Sequence, residues 1–178
     1  CPYEMTMVLS GMSEVIVCDY YYMFNASIRD NFLTKTGKDM EKSIIIIDEG
    51  HNLPSRVREL ATEKLTSFVL KRAIKEAKKH SYDEIVQELS LIQDVLNNYG
   101  SDLKTGSEKL VDRQGFVESI NRIRDYDEIV SDLSSVGDDI REKQKQSYIG
   151  SVGDFLEAWK GTDKGFARIL SASSFKDN

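Results

Sequence analysis

The chain has 178 residues, enough for one or two domains with a hydrophobic core; 40% of them are hydrophobic and 30% are charged. Its formal net charge of −6 at pH 7 excludes nucleic-acid binding through bulk charge, so any such binding needs a local basic face. No apolar run approaches the ~20 residues that cross a bilayer, and we expect a soluble protein with no membrane partner.

The chain begins at Cys1 rather than at a methionine, and Cys18 is its second cysteine. Two cysteines do not form a disulfide framework, so we expect an intracellular protein, cytoplasmic or, if the source is a eukaryote, nuclear. No signal peptide is recognisable at the start. We therefore interpret the sequence as an internal piece of a longer polypeptide.

The first third of the chain predicts an α/β layer. Val15–Cys18 is a short apolar strand candidate, a helix is expected over 25–33, and a polar loop leads into a second strand at Ile44–Ile47. Two strands joined by a helical crossover are what a parallel sheet requires. Four consecutive β-branched residues favour a central strand that is buried on both faces.

Two adjacent acids follow the second strand, in the sequence Asp48-Glu49-Gly50-His51-Asn52. Ligands of open α/β sheets bind beyond the carboxyl ends of the strands. One carboxylate there can hold magnesium while the other positions or deprotonates a water, and nucleotide hydrolysis needs both tasks. The plainer alternative is a core strand that ends in an acidic turn.

Two other chemistries are disfavoured by what the sequence lacks. Gly37-Lys38 is followed by Asp39 rather than by Ser or Thr, so no phosphate-binding loop is present. The chain alone should therefore not hydrolyse ATP. His51 and His80 are the two histidines of the chain, too few for a typical zinc hydrolase site.

An aromatic cluster lies between the two predicted strands. Tyr20, Tyr22 and Phe24 are candidates to stack on the bases of a single strand. If the strand continues through them, Tyr20 and Tyr22 share one face and Tyr21 lies on the other. Arg29, on the helix that follows, is a candidate phosphate contact, although a solvated arginine is as common an explanation.

Helical periodicity dominates after Pro54 and predicts a mainly α fold with a small α/β part. Helices are predicted over 60–79, 82–98, 116–125, 127–146 and 152–160. Residues 101–115 are expected to form a polar connection. The tail over 171–178 has no periodicity and no assigned role.

The first of these helices carries a basic stripe. At 3.6 residues per turn, Phe68 lies among the lysines of one side, and Arg72 and Lys79 lie at the margin of that side. The lysines of this side are Lys64, Lys71, Lys75 and Lys78. A basic stripe with an aromatic side chain predicts a backbone track for single-stranded DNA, with Phe68, Lys71 and Lys75 as contacts. Long lysines on a solvated face are the commoner reason for such a pattern.

Three segments together resemble the XPD-type helicases of superfamily 2, in an archaeal-like form. Cys1-Pro2-Tyr3 is similar to the end of the family's iron–sulfur domain, and 15–24 is similar to the strand and aromatic segment that follows it. The segment Ile44–Leu53 resembles the Walker B or DEAH box, with Gly50 where the family usually has Ala. The resemblance covers 1–54.

The resemblance implies a domain organisation and roles for individual residues. Residues 1–54 would belong to the iron–sulfur domain and to a RecA-like motor domain, and 55–178 would form a helical, Arch-like insertion. Asp48 would hold the magnesium of ATP, Glu49 would polarise the attacking water, and His51 would couple the site to neighbouring motifs. Cys1 would ligate a 4Fe-4S cluster, which cannot assemble on this piece alone because it takes four thiolates.

The function that follows is an internal section of an ATP-dependent 5′ to 3′ DNA helicase acting in nucleotide excision repair. Its expected partners are single-stranded DNA and repair proteins that dock on the helical insertion. The residues do not distinguish an XPD-type protein from a FancJ-like or DinG-like relative. The alternative is a helical protein-interaction module without chemistry of its own.

Overall fold

The computed structural model describes residues 1–173, and in it the chain divides between Glu63 and Lys64 into two packing units. The prediction of a mainly α fold is confirmed, and the helices of the described residues are α1 (Pro2–Met12), α2 (Tyr21–Phe24), α3 (Ala26–Thr36), α4 (Leu53–Leu60), α5 (Ser67–Lys79), α6 (Asp83–Gly100), α7 (Arg113–Asn121), α8 (Tyr126–Gln144) and α9 (Tyr148–Trp159). Two 3-10 turns, Met40–Lys42 and Gly50–Asn52, precede α4. None of the helices within residues 1–173 has both the length and the apolar character needed to cross a membrane.

The first unit, residues 1–63, is built around the packing of α1 on α3. Met7 and Phe32 are its buried hydrophobic residues. Glu4 of α1 accepts a hydrogen bond from Lys35 of α3 at 2.6 Å, and this bond raises the pKa of the Lys35 ammonium. The core of this unit is therefore small, and polar contacts hold much of it together.

The two predicted strands of this unit are not formed. Val15–Cys18 and Ile44–Ile47 lie outside helix and strand, and within residues 1–63 neither joins a backbone ladder. Ile44 and Ile46 are 93% and 90% exposed. A strand needs neighbours for its backbone groups and cover for its side chains, and residues 1–63 supply neither. The parallel-sheet, RecA-like assignment stays a prediction.

The aromatic cluster forms a helical turn, so the prediction of alternating strand faces is wrong. The side chain of Asp19 accepts a hydrogen bond from the backbone N–H of Tyr21 at 3.1 Å, and α2 follows. Such local side-chain bonds offer the backbone an alternative to a strand. Residues i and i+4 share a helix face, and Tyr20 accordingly faces Phe24, with ring centroids 6.5 Å apart.

The second unit begins at Lys64 and is a helical bundle with one continuous core. Its largest fully buried side chains come from five helices, α5 to α9, and are Phe116, Leu70, Leu89, Ile92, Ile120, Ile129, Leu133, Ile140, Ile149, Leu156 and Val152. Helices α8 and α9 approach so closely that a Cβ at Gly137 would collide with the backbone of Gly150. Tyr126 of α8 donates a hydrogen bond to the carbonyl of Leu156 in α9 at 2.8 Å, and burial raises the pKa of its phenol.

The helix predicted over 60–79 is two helices, because α4 ends at Leu60 and α5 begins at Ser67. The hydroxyl of Thr66 accepts a hydrogen bond from the N–H of Val69 at 3.2 Å. Threonine favours this N-cap position, where its side chain satisfies a free helix amide. Lys64 therefore precedes α5 and does not belong to the helical stripe predicted for it.

The remaining predicted helices are observed as α6 to α9, with ends shifted by a few residues. The predicted polar connection over 101–115 contains a strand, β1 (Glu108–Leu110), which pairs antiparallel with β2 (Ile169–Ser171). The pairing includes Ser171, the first residue of the predicted tail. Residues 174–178 of that tail lie outside the described residues.

The predicted boundary after Pro54 falls inside α4. The assignment of residues 1–54 to a motor domain and of 55–178 to an Arch-like insertion stays a prediction.

Candidate functional site

The loop of residues 48–52 is a tight turn held by its own polar groups. Glu49 has a left-handed backbone, with φ of 51° and ψ of 40°, and the turn Gly50–Asn52 follows. The carboxylate of Asp48 accepts a hydrogen bond from the N–H of Glu49 at 2.9 Å. The carbonyl of Glu49 accepts one from the N–H of Asn52 at 2.9 Å. The chain then enters α4, with Pro54 in its first turn, a position that suits proline.

This turn brings the three predicted catalytic residues together on the surface. A carboxylate oxygen of Glu49 lies 3.2 Å from Nδ1 of His51, and both side chains are mostly exposed. Asp48 is also exposed, and one of its two oxygens is engaged by the turn. Two carboxylates and an imidazole therefore face solvent from one short loop, where a ligand can reach them.

Tyr20, which lies far from the loop in sequence, donates a hydrogen bond to its backbone. Its hydroxyl donates a hydrogen bond to the main-chain carbonyl of Asp48 at 2.6 Å and lies 3.4 Å from that of Glu49. The sequence predicts Tyr20 as a DNA contact, but it does not predict this hydrogen bond to the loop. The two partners are 28 residues apart in sequence, and no local pattern connects them.

The other predicted DNA contacts of the first unit, Tyr22, Phe24 and Arg29, are all partly buried. The ring of Tyr22 meets Phe32 edge-on at 5.2 Å, which places it against the small core. Phe24 is half-buried. Arg29 is half-buried and its guanidinium lies 3.2 Å from the carboxylate of Asp30. The structure therefore does not gather these side chains into one exposed row.

The basic residues of α5 do share an exposed face. Lys71 and Lys75 are exposed, while Leu70 and Ala73 point into the core. Phe68 is 50% exposed, and the guanidinium of Arg72 lies over its ring at 5.0 Å. Within residues 1–173, none of the basic side chains of α5 forms an ion pair; these are Lys71, Arg72, Lys75, Lys78 and Lys79. Their charge is therefore free to attract an anion.

The loop can contribute to a magnesium site but cannot form one alone. Among residues 1–173, no three His, Cys, Asp or Glu side chains gather closely enough to hold a metal ion. Magnesium is typically held by one or two carboxylates together with waters and substrate phosphates, and Asp48 fits the carboxylate part of that set. Cys1 and Cys18 are both exposed thiols, and two thiols do not fit the four-thiolate ligand set of a 4Fe-4S cluster.

Comparison with known proteins finds a family match in the first part of the chain and several similar proteins. Residues 1–70 match the family described as DEAD_2. The regulator of telomere elongation helicase 1 homolog of Caenorhabditis elegans is 35% identical over 79 residues, which are 44% of this chain and 8% of that protein. Its counterpart in Caenorhabditis briggsae is 34% identical over 79 residues.

A third relative is the general transcription and DNA repair factor IIH helicase subunit XPD/RAD3 of Saccharomyces cerevisiae. It is 29% identical over 89 residues, which are 50% of this chain and 11% of that protein. The chain therefore corresponds to about a tenth of the length of the curated relatives it matches.

Proposed function

We propose that this chain, whose residues 1–70 belong to the XPD-type superfamily 2 helicases, is an internal section of an ATP-dependent DNA helicase. We further propose that the helicase moves 5′ to 3′ on single-stranded DNA in nucleotide excision repair. Such work would take place in the cytoplasm of a prokaryote or the nucleus of a eukaryote. We also propose that repair proteins dock on the helical insertion.

The exposed turn that carries Asp48, Glu49 and His51 is the observation that supports this function best. In-line phosphoryl transfer depends mostly on positioning and on neutralising charge, and covalent chemistry by the protein contributes little. A carboxylate that can reach a water, with a second carboxylate beside it, meets that requirement. The match to the DEAD_2 family covers these same residues.

Each side chain of the turn has a separate task in the proposal. Glu49 orients the attacking water and accepts its proton, and His51, 3.2 Å away, holds that carboxylate in place. Asp48 offers its free oxygen to the hydrated magnesium of the nucleotide. When bound, magnesium supplies charge neutralisation on the phosphates.

The phosphate cradle of the enzyme is proposed to lie outside this chain. Gly37 ends α3 with φ of 65°, as a helix C-cap. The ammonium of Lys38 donates a hydrogen bond to the carbonyl of Ser13 at 2.8 Å, which ties the end of α3 to the end of α1. This Gly-Lys pair therefore has a structural task and is not available for phosphates.

Replacing Glu49 in the full-length helicase tests the proposal. We expect Glu49→Gln to keep ATP binding, because the side chain stays polar and similar in size, and to lower ATP turnover about 10²- to 10⁴-fold, the usual contribution of a general base. Nucleotide binding and steady-state hydrolysis would be measured with single-stranded DNA present.

The matched control is Glu59→Gln on α4, an exposed glutamate whose contact is a surface ion pair with Arg56 at 3.5 Å. This variant should hydrolyse ATP at the wild-type rate. Wild-type turnover in Glu49→Gln would overturn the catalytic assignment.

A helical interaction module is the second candidate, and the self-contained core of the second unit favours it. The buried cluster from Leu70 to Leu156 lies wholly within that unit, so these helices do not need the loop of the first unit to fold. Under this alternative, the second unit docks a partner, and the ATPase rate would be independent of the basic face of α5.

A further inference from the structure

The hydroxyl of Tyr20 makes the shortest side-chain hydrogen bond to the backbone of the candidate catalytic loop. It lies 2.6 Å from the carbonyl oxygen of Asp48 and 3.4 Å from that of Glu49. A hydroxyl has one proton to donate, so the shorter contact is the hydrogen bond. All three residues belong to the first unit.

The bond fixes one particular peptide group, the one that joins Asp48 to Glu49. Tyr20 donates to its carbonyl, and the carboxylate of Asp48 accepts from its N–H at 2.9 Å. Both polar groups of this peptide are therefore held. Rotation of a peptide group needs both bonds to break, so the plane of this one is set by two side chains.

The peptide needs such support because the residue after it has an unfavourable backbone. Glu49 has φ of 51°, in the left-handed region where a side chain with a Cβ crowds its own carbonyl. The direction of the Glu49 side chain depends on this backbone, and its carboxylate lies 3.2 Å from Nδ1 of His51. A turn that relaxed from this conformation would move that carboxylate away from the imidazole.

We propose that Tyr20 is a positioning residue for ATP hydrolysis: its hydroxyl holds the Asp48–Glu49 peptide so that the Glu49 carboxylate stays where it can orient the attacking water. The inference rests on the proposed function, since it concerns the same loop. It assigns to the hydroxyl of Tyr20 a task that is separate from any stacking of its ring on DNA.

The role of the Tyr20 hydroxyl can be tested separately from the role of its ring. Tyr20→Phe in the full-length helicase removes the hydrogen bond and keeps the aromatic face that packs beside Phe24. With saturating single-stranded DNA, we expect kcat for ATP hydrolysis to fall about 3- to 10-fold, the equivalent of one lost hydrogen bond. KM for ATP and the Kd for single-stranded DNA should stay within about twofold of wild type, because the hydroxyl is engaged by the carbonyl of Asp48 and the proposal gives it no contact to either ligand.

Hydrogen–deuterium exchange supplies a readout that does not depend on turnover. The amides of residues 49–52 should exchange faster in Tyr20→Phe, while those of α1 and α3 keep their wild-type rates. The matched control is Tyr21→Phe: Tyr21 is 47% exposed, and its hydroxyl makes no hydrogen bond to any residue of the described chain. This control should match wild type in kcat and in exchange.

The outcomes separate this inference from the proposed function. Wild-type hydrolysis by Glu49→Gln would overturn both. If Glu49→Gln loses turnover while Tyr20→Phe keeps wild-type kcat and loop exchange, the positioning role alone is wrong. Loss of single-stranded DNA affinity in Tyr20→Phe, or faster exchange throughout residues 1–63, would also overturn it, because the residue would then act through DNA or through general stability.

Discussion

Glu76 of α5 is a buried acid that receives all its partners from a distant part of the chain. It is 7% exposed. One carboxylate oxygen accepts from the hydroxyl of Ser147 and from the N–H of Ile149, both at 2.9 Å, and the other accepts from the amide of Gln144 at 2.6 Å. An acid is well placed at a helix N-terminus, where free amides and the dipole favour negative charge. Glu76 therefore fastens α5 to the beginning of α9.

Removing this side chain should destabilise the second unit. We expect Glu76→Ala to lower the free energy of unfolding by about 3 kcal/mol, because hydrogen bonds to a charged group are strong and their buried donors are left without a partner. Urea unfolding followed by circular dichroism would measure it. Glu142→Ala, an exposed glutamate on α8, is the control and should change the value by less than about 0.5 kcal/mol. If both variants lowered the free energy of unfolding by the same amount, the hydrogen bonds of Glu76 would not be what holds α5 to α9.

Proximity in sequence explains how much of the candidate site could be predicted. Asp48, Glu49 and His51 lie within four positions, so chain connectivity alone places them together. Tyr20 approaches them through the tertiary fold, and its partner is a backbone carbonyl, which has no signature in the sequence. The left-handed backbone of Glu49 could not be predicted from the sequence either, because glutamate rarely adopts that conformation.

Helix α5 shows how one element can serve two purposes. Its buried face supplies Leu70, Ala73 and Ala77 to the core, and its opposite face presents the basic side chains. The sequence predicted the basic face, because the 3.6-residue period places those side chains on one side of the helix. It did not predict the break before Ser67, since the charged residues on either side of the break all favour helix and the cap at Thr66 decides where α5 begins.

Reversing two charges on this face tests whether it follows a DNA strand. We expect Lys71→Glu with Lys75→Glu, in the full-length protein, to weaken single-stranded DNA binding and to reduce the salt slope of log K by about 1.4, since each phosphate contact on a single strand contributes about 0.7. Fluorescence anisotropy at several salt concentrations would measure the slope. Lys143→Glu with Lys164→Glu changes the net charge equally, at exposed lysines that are not part of α5, and should leave the slope unchanged. If the Lys71/Lys75 variant also leaves the salt slope unchanged, the basic face of α5 is a solvated surface that does not contact the DNA strand.

The two units differ in how much core each one has. The first unit buries two hydrophobic side chains, Met7 and Phe32, whereas the second encloses a continuous cluster drawn from α5 to α9. Helical periodicity predicted the second unit well because its helices bury their faces against one another. The sheet predicted for the first unit is not formed within residues 1–63, because a strand is stable only beside partners that these residues do not contain; the RecA-like assignment stays a prediction.

Separate expression of the two units would test this difference. We expect residues 64–178 to fold alone, with a cooperative urea transition and dispersed amide resonances, because their core is complete. Residues 1–63 should show no cooperative transition, because two buried hydrophobic side chains do not offset the conformational entropy of ordering the chain. A cooperative transition in residues 1–63, or its absence in residues 64–178, would contradict this account.

The exposed run Ile44–Ile47 carries a risk for anyone who purifies this chain. Four consecutive β-branched side chains with free backbone groups are a template for intermolecular pairing and for growth of cross-β fibrils. Lys42 on one side, and Asp48 and Glu49 on the other, act as gatekeepers, because like charges stacked along a fibril repel one another. Replacing the two carboxylates by uncharged side chains would remove part of that protection and favour aggregation.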